Sequence, residues 1–155
     1  MHEAFMSEAI RLALDSVAEG NGGPFGAVVV KDGRIIGRGT NSVTRYNDPT
    51  AHAEIMAIRD ACRQLGEYHL TGCELYVSCM PCPMCLSASY WAHIERIYYA
   101  ARAEDAAAVG FDDVLIAEEL CLPPVQRHLP LVHLPVDDAL APLQCWNEKA
   151  DKIPY

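Results

Sequence analysis

Four residues in two short motifs carry the clearest chemistry in this sequence. His52 and Glu54 lie in His-Ala-Glu, and Cys82 and Cys85 lie in a Pro-Cys-Pro-Met-Cys run that begins at Pro81. One imidazole and two thiolates are typical zinc ligands, and a set of three leaves the fourth tetrahedral position open to water, as in catalytic zinc sites. A zinc ion that only joins loops together normally takes four protein ligands. The pattern therefore predicts a hydrolytic site with one zinc per subunit and Glu54 as the proton carrier.

Two helix starts must position these side chains. Apolar spacing predicts a helix from Ala51 to Leu65, with Thr50 as its N-cap and Gly66 at its end. Within a helix, residues two apart point to nearly opposite sides, so His52 and Glu54 can serve one centre only from the first turn.

The cysteine motif predicts a second helix start. Pro83 favours the first turn of a helix that runs to about His93. Cys82 and Cys85 then share one face at the positive end of the helix dipole, which lowers the pKa of thiols. Both motifs are thus expected to bring their ligands to helix N-termini.

The other patterns predict an α/β fold in one domain over residues 1–155. Helical spacing covers residues 3–19, and an Asp32-Gly33 turn joins strands at 27–31 and 34–40. Further strands are expected at 75–78 and 96–100, in a mixed sheet whose later strands are parallel. From about residue 121 a proline-rich arm leads to a final helix near 140–149.

Composition excludes several classes of protein. The chain has 155 residues, a net charge of −9 and seven cysteines. Acidity without a basic tail argues against a polyanionic partner, because nucleic-acid affinity depends on Lys and Arg. The first helix is interrupted by charges and is unlike a signal peptide or a membrane span. An odd cysteine count, with two cysteines in the metal motif, argues against a disulfide framework. A cytoplasmic enzyme acting on a small molecule is expected.

The motifs resemble those of the cytidine/deoxycytidylate deaminase superfamily of zinc-dependent nucleobase deaminases. The wider pattern looks most like the small bacterial guanine deaminases, and it covers nearly the whole chain. Met80 departs from it, because related enzymes often have Glu before the Pro-Cys motif. The matching segments are residues 23–27, Asn41, residues 47–54, the cysteine motif, residues 110–113 and Tyr155.

This resemblance implies a three-layer α/β/α sandwich with a mixed five-stranded sheet, the cytidine deaminase-like fold. It also implies hydrolytic deamination of guanine to xanthine and ammonia, with Glu54 carrying protons to the ring nitrogen N3 and to the leaving amine. Alternatives left open are deamination of guanosine, cytosine or a triazine, the less favoured editing of tRNA adenosine, and a catalytically silent zinc protein of this fold.

Roles for further residues follow from the same resemblance. Asp113 is expected to be a second catalytic residue that accepts hydrogen bonds from guanine N–H groups, including the amine that leaves, whereas by composition alone it is a carboxylate in a loop or a helix cap. Asn41 offers a donor and an acceptor to a purine edge, its alternative being a strand-end turn. From their places at the two predicted helix starts, and not from the resemblance, the backbone N–H groups of Ala53 and Cys82 are candidates for stabilising an oxygen anion. Aromatic candidates around the base, which are otherwise core residues, are Phe25, Trp91 and Phe111.

The arm of residues 121–155 is expected to pass between two subunits. Similar guanine deaminases exchange a C-terminal segment, so the resemblance implies a domain-swapped homodimer in which Tyr155 of one chain completes the partner's site. A terminal tyrosine would otherwise be frayed.

Overall fold

The computed structural model describes residues 1–154, so Tyr155 lies outside the described residues. The chain forms two compact units, residues 1–117 and a second unit that begins at Glu118. Its elements are α1 (His2–Ala18), β1 (Gly26–Lys31), β2 (Arg34–Thr40), α2 (Val43–Tyr46), α3 (Ala53–Leu65), β3 (Cys73–Cys79), α4 (Pro83–Trp91), β4 (Arg96–Ala101), α5 (Ala103–Ala107), α6 (Val114–Cys121), a 3-10 turn (Pro124–Gln126) and α7 (Ala141–Glu148).

The sheet of the first unit has the order β2-β1-β3-β4. β1 is antiparallel to β2 and β3, whereas β3 and β4 are parallel. The mixed sheet with parallel later strands is confirmed, but the expectation of five strands is wrong for residues 1–154, in which the sheet has four. After β4 the chain enters the short helices α5 and α6, and then a proline-rich stretch in which prolines lack the N–H that a ladder needs.

The β1–β2 hairpin has the predicted turn. Asp32 and Gly33 both have positive φ, 49° and 72°. This conformation matches the twist of the flanking strands in a two-residue turn, and it favours an Asp-Gly pair. The hairpin brings the end of β2, and Asn41 directly after it, beside the start of β1.

Helices cover both faces of the sheet, which gives the predicted three layers. Val28, Val30 and Tyr76 pack on one face with residues of α1. Their strand neighbours point to the opposite face, where Ala27, Val29, Leu75 and Val77 pack with α3. The strict alternation along β1 and β3 therefore divides the core into two apolar clusters.

Glycines on β2 set the distance of α3 from the sheet. A Cβ atom on Gly39 would lie 2.1 Å from the Ala53 carbonyl oxygen, and one on Gly37 would lie 2.5 Å from the Ala57 oxygen. Because only glycine leaves this space, α3 lies directly on β2 and its first turn is held at the end of the sheet.

Helix α1 packs against the sheet through the small residues of its apolar stripe. Ile10, Leu14 and Val17 are exposed, whereas Ala9 and Ala13 are buried. The backbone of Ala9 and Ala13 sits against Gly26, so small residues form the contact. Apolar periodicity identified the helix but not which side of it faces the sheet.

The second unit is rich in exposed apolar side chains, including Val125, Leu129, Val132 and Leu134. Residues 127–136 contain no helix or strand, and α7 follows within the predicted range. All seven cysteines of the chain are free thiols. Within residues 1–154, every helix is too short or too polar to cross a bilayer.

Candidate active site

The two ligand motifs occupy equivalent places at the starts of two helices. His52 is the N-cap residue of α3 and Cys82 is the N-cap residue of α4, and neither side chain caps its helix. The expectation that Thr50 caps α3 is wrong, because its backbone N–H and hydroxyl both donate to the Asp48 carboxylate, at 2.8 and 2.7 Å. The imidazole and thiol thus remain available, beside N–H groups that have no partner within their own helices.

His52, Cys82 and Cys85 meet at a single point. The His52 Nδ1 atom lies 3.6 Å from Cys82 Sγ and 3.5 Å from Cys85 Sγ, and all three ligand atoms lie within 4.8 Å of one another. Zinc bonds of about 2.3 Å to sulfur and about 2.05 Å to nitrogen, at a tetrahedral angle, separate the two atoms by about 3.6 Å. The donor set and its spacing therefore fit Zn²⁺.

The cluster holds a thiolate readily. A hydrogen bond with Cys85 lowers the pKa of Cys82 to about 4, and a further one with His52 acts in the same direction against the effect of burial. The same bond with Cys82, together with burial, raises the pKa of Cys85. Cysteine binds a metal as the thiolate, so the lowered pKa of Cys82 favours metal binding by this side chain.

Glu54 lies next to the ligands without being one of them. Its side chain is buried, and this burial is the main cause that raises the pKa of its carboxyl group. A carboxyl group with a raised pKa takes up and releases a proton more easily near neutral pH than an exposed one does. The position agrees with the predicted proton carrier, and that role stays a prediction.

A cavity of about 530 Å³ opens over these residues. Its volume is that of a site for a small organic ligand. His52, Glu54 and Cys82 form part of the wall, the end of β3 forms another part, and residues 103–116 contribute a third. Two candidates from the sequence, Asn41 and Asp113, also line it.

Asn41 presents a donor to the cavity. Its Oδ1 atom accepts hydrogen bonds from the backbone N–H groups of Gly23, at 3.2 Å, and Val43, at 3.3 Å. Because those two donors fix the orientation of the amide, the NH₂ group is the part left for a ligand. The two interpretations of Asn41 are therefore compatible, because its Oδ1 atom holds the turn and its NH₂ group is available to a ligand.

The sequence allows two roles for Asp113, a hydrogen bond to the start of a helix and a contact with the ligand. In the structure, the neighbouring Asp112 makes the bond to the helix. Asp112 Oδ1 accepts a hydrogen bond of 3.0 Å from the Val114 N–H at the start of α6. The Asp113 carboxylate contributes to the raised pKa of His52, for which the hydrogen bond with Cys82 is the largest cause. Both residues line the cavity, and within residues 1–154 the Asp113 carboxylate is the one without a hydrogen bond to the start of α6, so it is the one free to accept from a ligand.

Phe25 and Phe111 both line the cavity as predicted. Their rings meet edge to face, with centroids 4.9 Å apart and an interplanar angle of 88°. A Cβ atom on Gly23 would lie 3.2 Å from each ring, so this glycine makes room for the pair. The rings form an apolar wall suited to a flat ligand.

One of the proposed binding residues, Trp91, does not line the cavity. Trp91 is 68% exposed and is not among the residues that line the cavity. It is the last residue of α4. At the rise per residue of an α-helix, this places it about 13 Å from Cys82 along the helix axis. The Ala53 side chain is 1% exposed and packs in the core, so only its backbone N–H, at the start of α3, remains a candidate. Tyr155 lies outside the described residues.

The structure adds cavity residues that sequence reasoning missed. Ser78 lies near the end of β3, and Met84 and Ile116 belong to α4 and α6. Ser78 was recognised only as part of a strand, and nothing in a single sequence tells which strand-end side chain faces a cavity.

Comparison with known proteins identifies the family. Residues 1–101 match the family model of the cytidine and deoxycytidylate deaminase zinc-binding region. The chain belongs to this family. A deaminase of this family is a zinc-dependent aminohydrolase, and His52, Cys82 and Cys85 supply a site able to hold the metal.

Among related deaminases, guanine deaminase of Bacillus subtilis (strain 168) is 51% identical over 154 residues, which cover 99% of each chain. The X-ray structure of B. subtilis guanine deaminase superposes with a TM-score of 0.97 over 100% of this chain and 99% of the other. A guanine deaminase from Nitrosomonas europaea gives a TM-score of 0.68 at 36% identity, covering 72% and 64% of the two chains. The tRNA-specific adenosine deaminase of Aquifex aeolicus is 46% identical over 64% of this chain and 65% of its own.

Proposed function

We propose that this protein deaminates guanine hydrolytically, giving xanthine and ammonia, with one zinc ion per subunit. The observation that carries the proposal is the match to B. subtilis guanine deaminase, at 51% identity over 99% of both sequences. The match extends past the zinc-binding region into residues 102–154, which supply Asp113 and Phe111 to the cavity. A shared metal motif alone would support only the reaction class.

The mechanism rests on Glu54. Zinc held by His52, Cys82 and Cys85 supplies an activated water when it is bound. Glu54 takes a proton from the attacking water and delivers it to N3 of the purine as the oxygen bonds to C2 and the C2–N3 double bond becomes single. It then moves the proton of the new C2 hydroxyl group to the amino group, which leaves as ammonia when its bond to C2 breaks and C2 becomes a carbonyl carbon. Burial of the carboxyl group, which raises its pKa, suits this alternation between acid and base.

The other cavity residues hold the base. The Asn41 NH₂ group donates to an acceptor of the purine, and the Asp113 carboxylate accepts from its N–H groups. Phe25 and Phe111 wall the ring. Backbone N–H groups of Ala53 and Cys82, at the starts of α3 and α4, stabilise negative charge near the metal.

A substrate panel tests the function. The zinc-loaded protein is incubated with guanine, guanosine, adenine, cytosine and a triazine, and ammonia release from each is measured. Guanine is expected to have the highest kcat/KM. Turnover of guanosine, cytosine or the triazine with no turnover of guanine would contradict the proposal, and so would inactivity towards all five.

Replacement of Asp113 by Asn is expected to lower kcat/KM for guanine about 10- to 150-fold, the loss of one charged hydrogen bond. Asp112→Asn is the matched control at the neighbouring lining residue, since the Asn amide oxygen can still accept the hydrogen bond from the Val114 N–H, and activity should be kept. Steady-state kinetics of the two variants give the comparison. Equal losses in both would remove the specific role of Asp113.

We further propose that residues 1–155 act as one cytidine deaminase-like domain in a cytoplasmic homodimer, with residues 121–155 exchanged between subunits. The exposed apolar side chains of residues 125–136 support an exchange, because a second copy can bury them. β4 is the last strand of the sheet in residues 1–154, so its outer edge is open to pairing. The seven free cysteines accord with a reducing compartment.

Sedimentation of the active protein is expected to give a dimer, and an active monomer would contradict the exchange. Complementation tests whether Tyr155 acts on the partner's site. If it does, mixed refolding of Glu54→Gln and Tyr155→Ala chains restores activity in about a quarter of the sites, since half the dimers are hybrids with one intact site each. No recovery would indicate that Tyr155 serves its own chain.

A further inference from the structure

Ser78 is a polar residue of the cavity with no part in the mechanism above. It lies near the end of β3, is half-buried, and lines the cavity. Its Oγ atom accepts a hydrogen bond of 3.0 Å from the backbone N–H of Gly26 on β1. Within residues 1–154 the hydroxyl hydrogen has no acceptor.

The bond from Gly26 fixes the position of this hydroxyl. Gly26 begins β1, and its neighbour Ala27 pairs with Val77, so Ser78 stands opposite Gly26 at the same end of the sheet. A hydroxyl has one hydrogen to donate and two lone pairs. With one lone pair occupied, the hydrogen is the part that a ligand in the cavity can use.

Free side-chain donors are few in this cavity. Thr44 donates its hydroxyl to the Asn21 carbonyl, and the Cys79 thiol donates to the Arg102 carbonyl, both at 3.4 Å. His52 and Cys82 belong to the metal site. Among the described lining residues, Asn41 and Ser78 are therefore the side chains with an uncommitted donor.

Guanine has two acceptors that the proposed mechanism leaves unpaired. In the proposed pose its C2 and N3 atoms face the metal and Glu54, and its N1–H and amino groups face Asp113. The remaining acceptors, O6 and N7, need two donors if the ring is to be enclosed without loss of hydrogen bonds. Two acceptors on the ligand thus correspond to two free donors on the protein.

We propose that Ser78 is a specificity residue whose hydroxyl donates a hydrogen bond to the O6 or N7 edge of the purine, beside the donor of Asn41. This inference rests on the proposed function and deepens it. Ser78 acts in binding and takes no part in proton transfer, so its loss should raise KM for guanine more than it lowers kcat.

The test compares ligands as well as variants. Zinc-loaded Glu54→Gln protein, which binds guanine without consuming it, is titrated calorimetrically with guanine, 7-deazaguanine and 2-aminopurine, with and without Ser78→Ala. The first analogue lacks the N7 acceptor and the second lacks O6. Ser78→Ala is expected to weaken guanine binding about 3- to 10-fold, with a loss below about twofold for at least one analogue.

Ser78→Thr keeps the hydroxyl and should bind guanine within about threefold of the parent. A general disturbance of the strand end would weaken all three ligands equally, and this outcome would overturn the role of Ser78, as would an unchanged affinity for guanine. In either case guanine turnover by the wild-type protein would leave the proposed function standing. Failure of the wild-type protein to bind or turn over guanine would remove both.

Discussion

Glu54→Gln is expected to reduce guanine turnover by a factor near the upper end of the range of about 10²- to 10⁴-fold that acid–base catalysis by one side chain contributes. One carboxylate moves protons to two different nitrogens in the proposed reaction, so its loss affects both steps. Gln keeps the shape of the side chain but cannot exchange a proton. Since Glu54 is not among the three ligand residues, the variant should retain one zinc per subunit.

Ammonia release and metal content, measured on the same preparation, check this expectation. A melting temperature close to that of the wild type shows that the buried site has kept its packing. The replacement removes a carboxyl group whose burial raises its pKa, so the folded state no longer carries the cost of burying a charge at this position. Near-normal turnover with full zinc content would refute the proton-carrier role, and loss of zinc would place Glu54 in the metal site.

Cys82→Ser should abolish both zinc binding and activity. Cys82 is the ligand that forms a thiolate most readily, with a pKa lowered to about 4 chiefly by its hydrogen bond with Cys85. A serine hydroxyl does not ionise at neutral pH and is a poor zinc ligand, and two remaining ligands hold the metal weakly. We expect zinc content to fall to about a tenth of a mole per subunit or less and turnover to become undetectable.

Cys121→Ser is the matched control, because that thiol is exposed and belongs to the second unit. It should keep both zinc and activity. Dialysis of the wild-type protein against a chelator should likewise abolish turnover, and added Zn²⁺ should restore it. An active Cys82→Ser protein that still binds zinc would show that the ligand set is wrong.

The sequence motifs were sufficient to predict the metal ligands. His52, Cys82 and Cys85 each adjoin or begin a helix, and local geometry at a helix start depends on few residues, so spacing translates directly into position. The same holds for the hairpin at Asp32 and Gly33, whose positive φ values follow from the turn residues themselves.

Properties that depend on distant contacts were not predictable in this way. Trp91 was expected near the ligand and lies at the far end of α4, because helix length separates it from the N-terminus that holds Cys82. The exposed side of α1 carries Leu14 and Val17, although they share one helical spacing of apolar residues with the buried Ala9 and Ala13. Close approach to Gly26 selected the alanines instead.

The sequence by itself determined the reaction class, since His52, Glu54, Cys82 and Cys85 specify a zinc site with a separate carboxylate. Only the tertiary structure decided which interactions the residues around this zinc site make. Asp112 and Asp113 both line the cavity, but only Asp112 accepts a hydrogen bond from the start of α6. Asn41 has only its NH₂ group free, and Ser78 reaches the cavity from a strand end. The bond that Asn41 accepts from Gly23 and the bond that Ser78 accepts from Gly26 join residues far apart in the chain. Spacing along the sequence carries no information about such pairs.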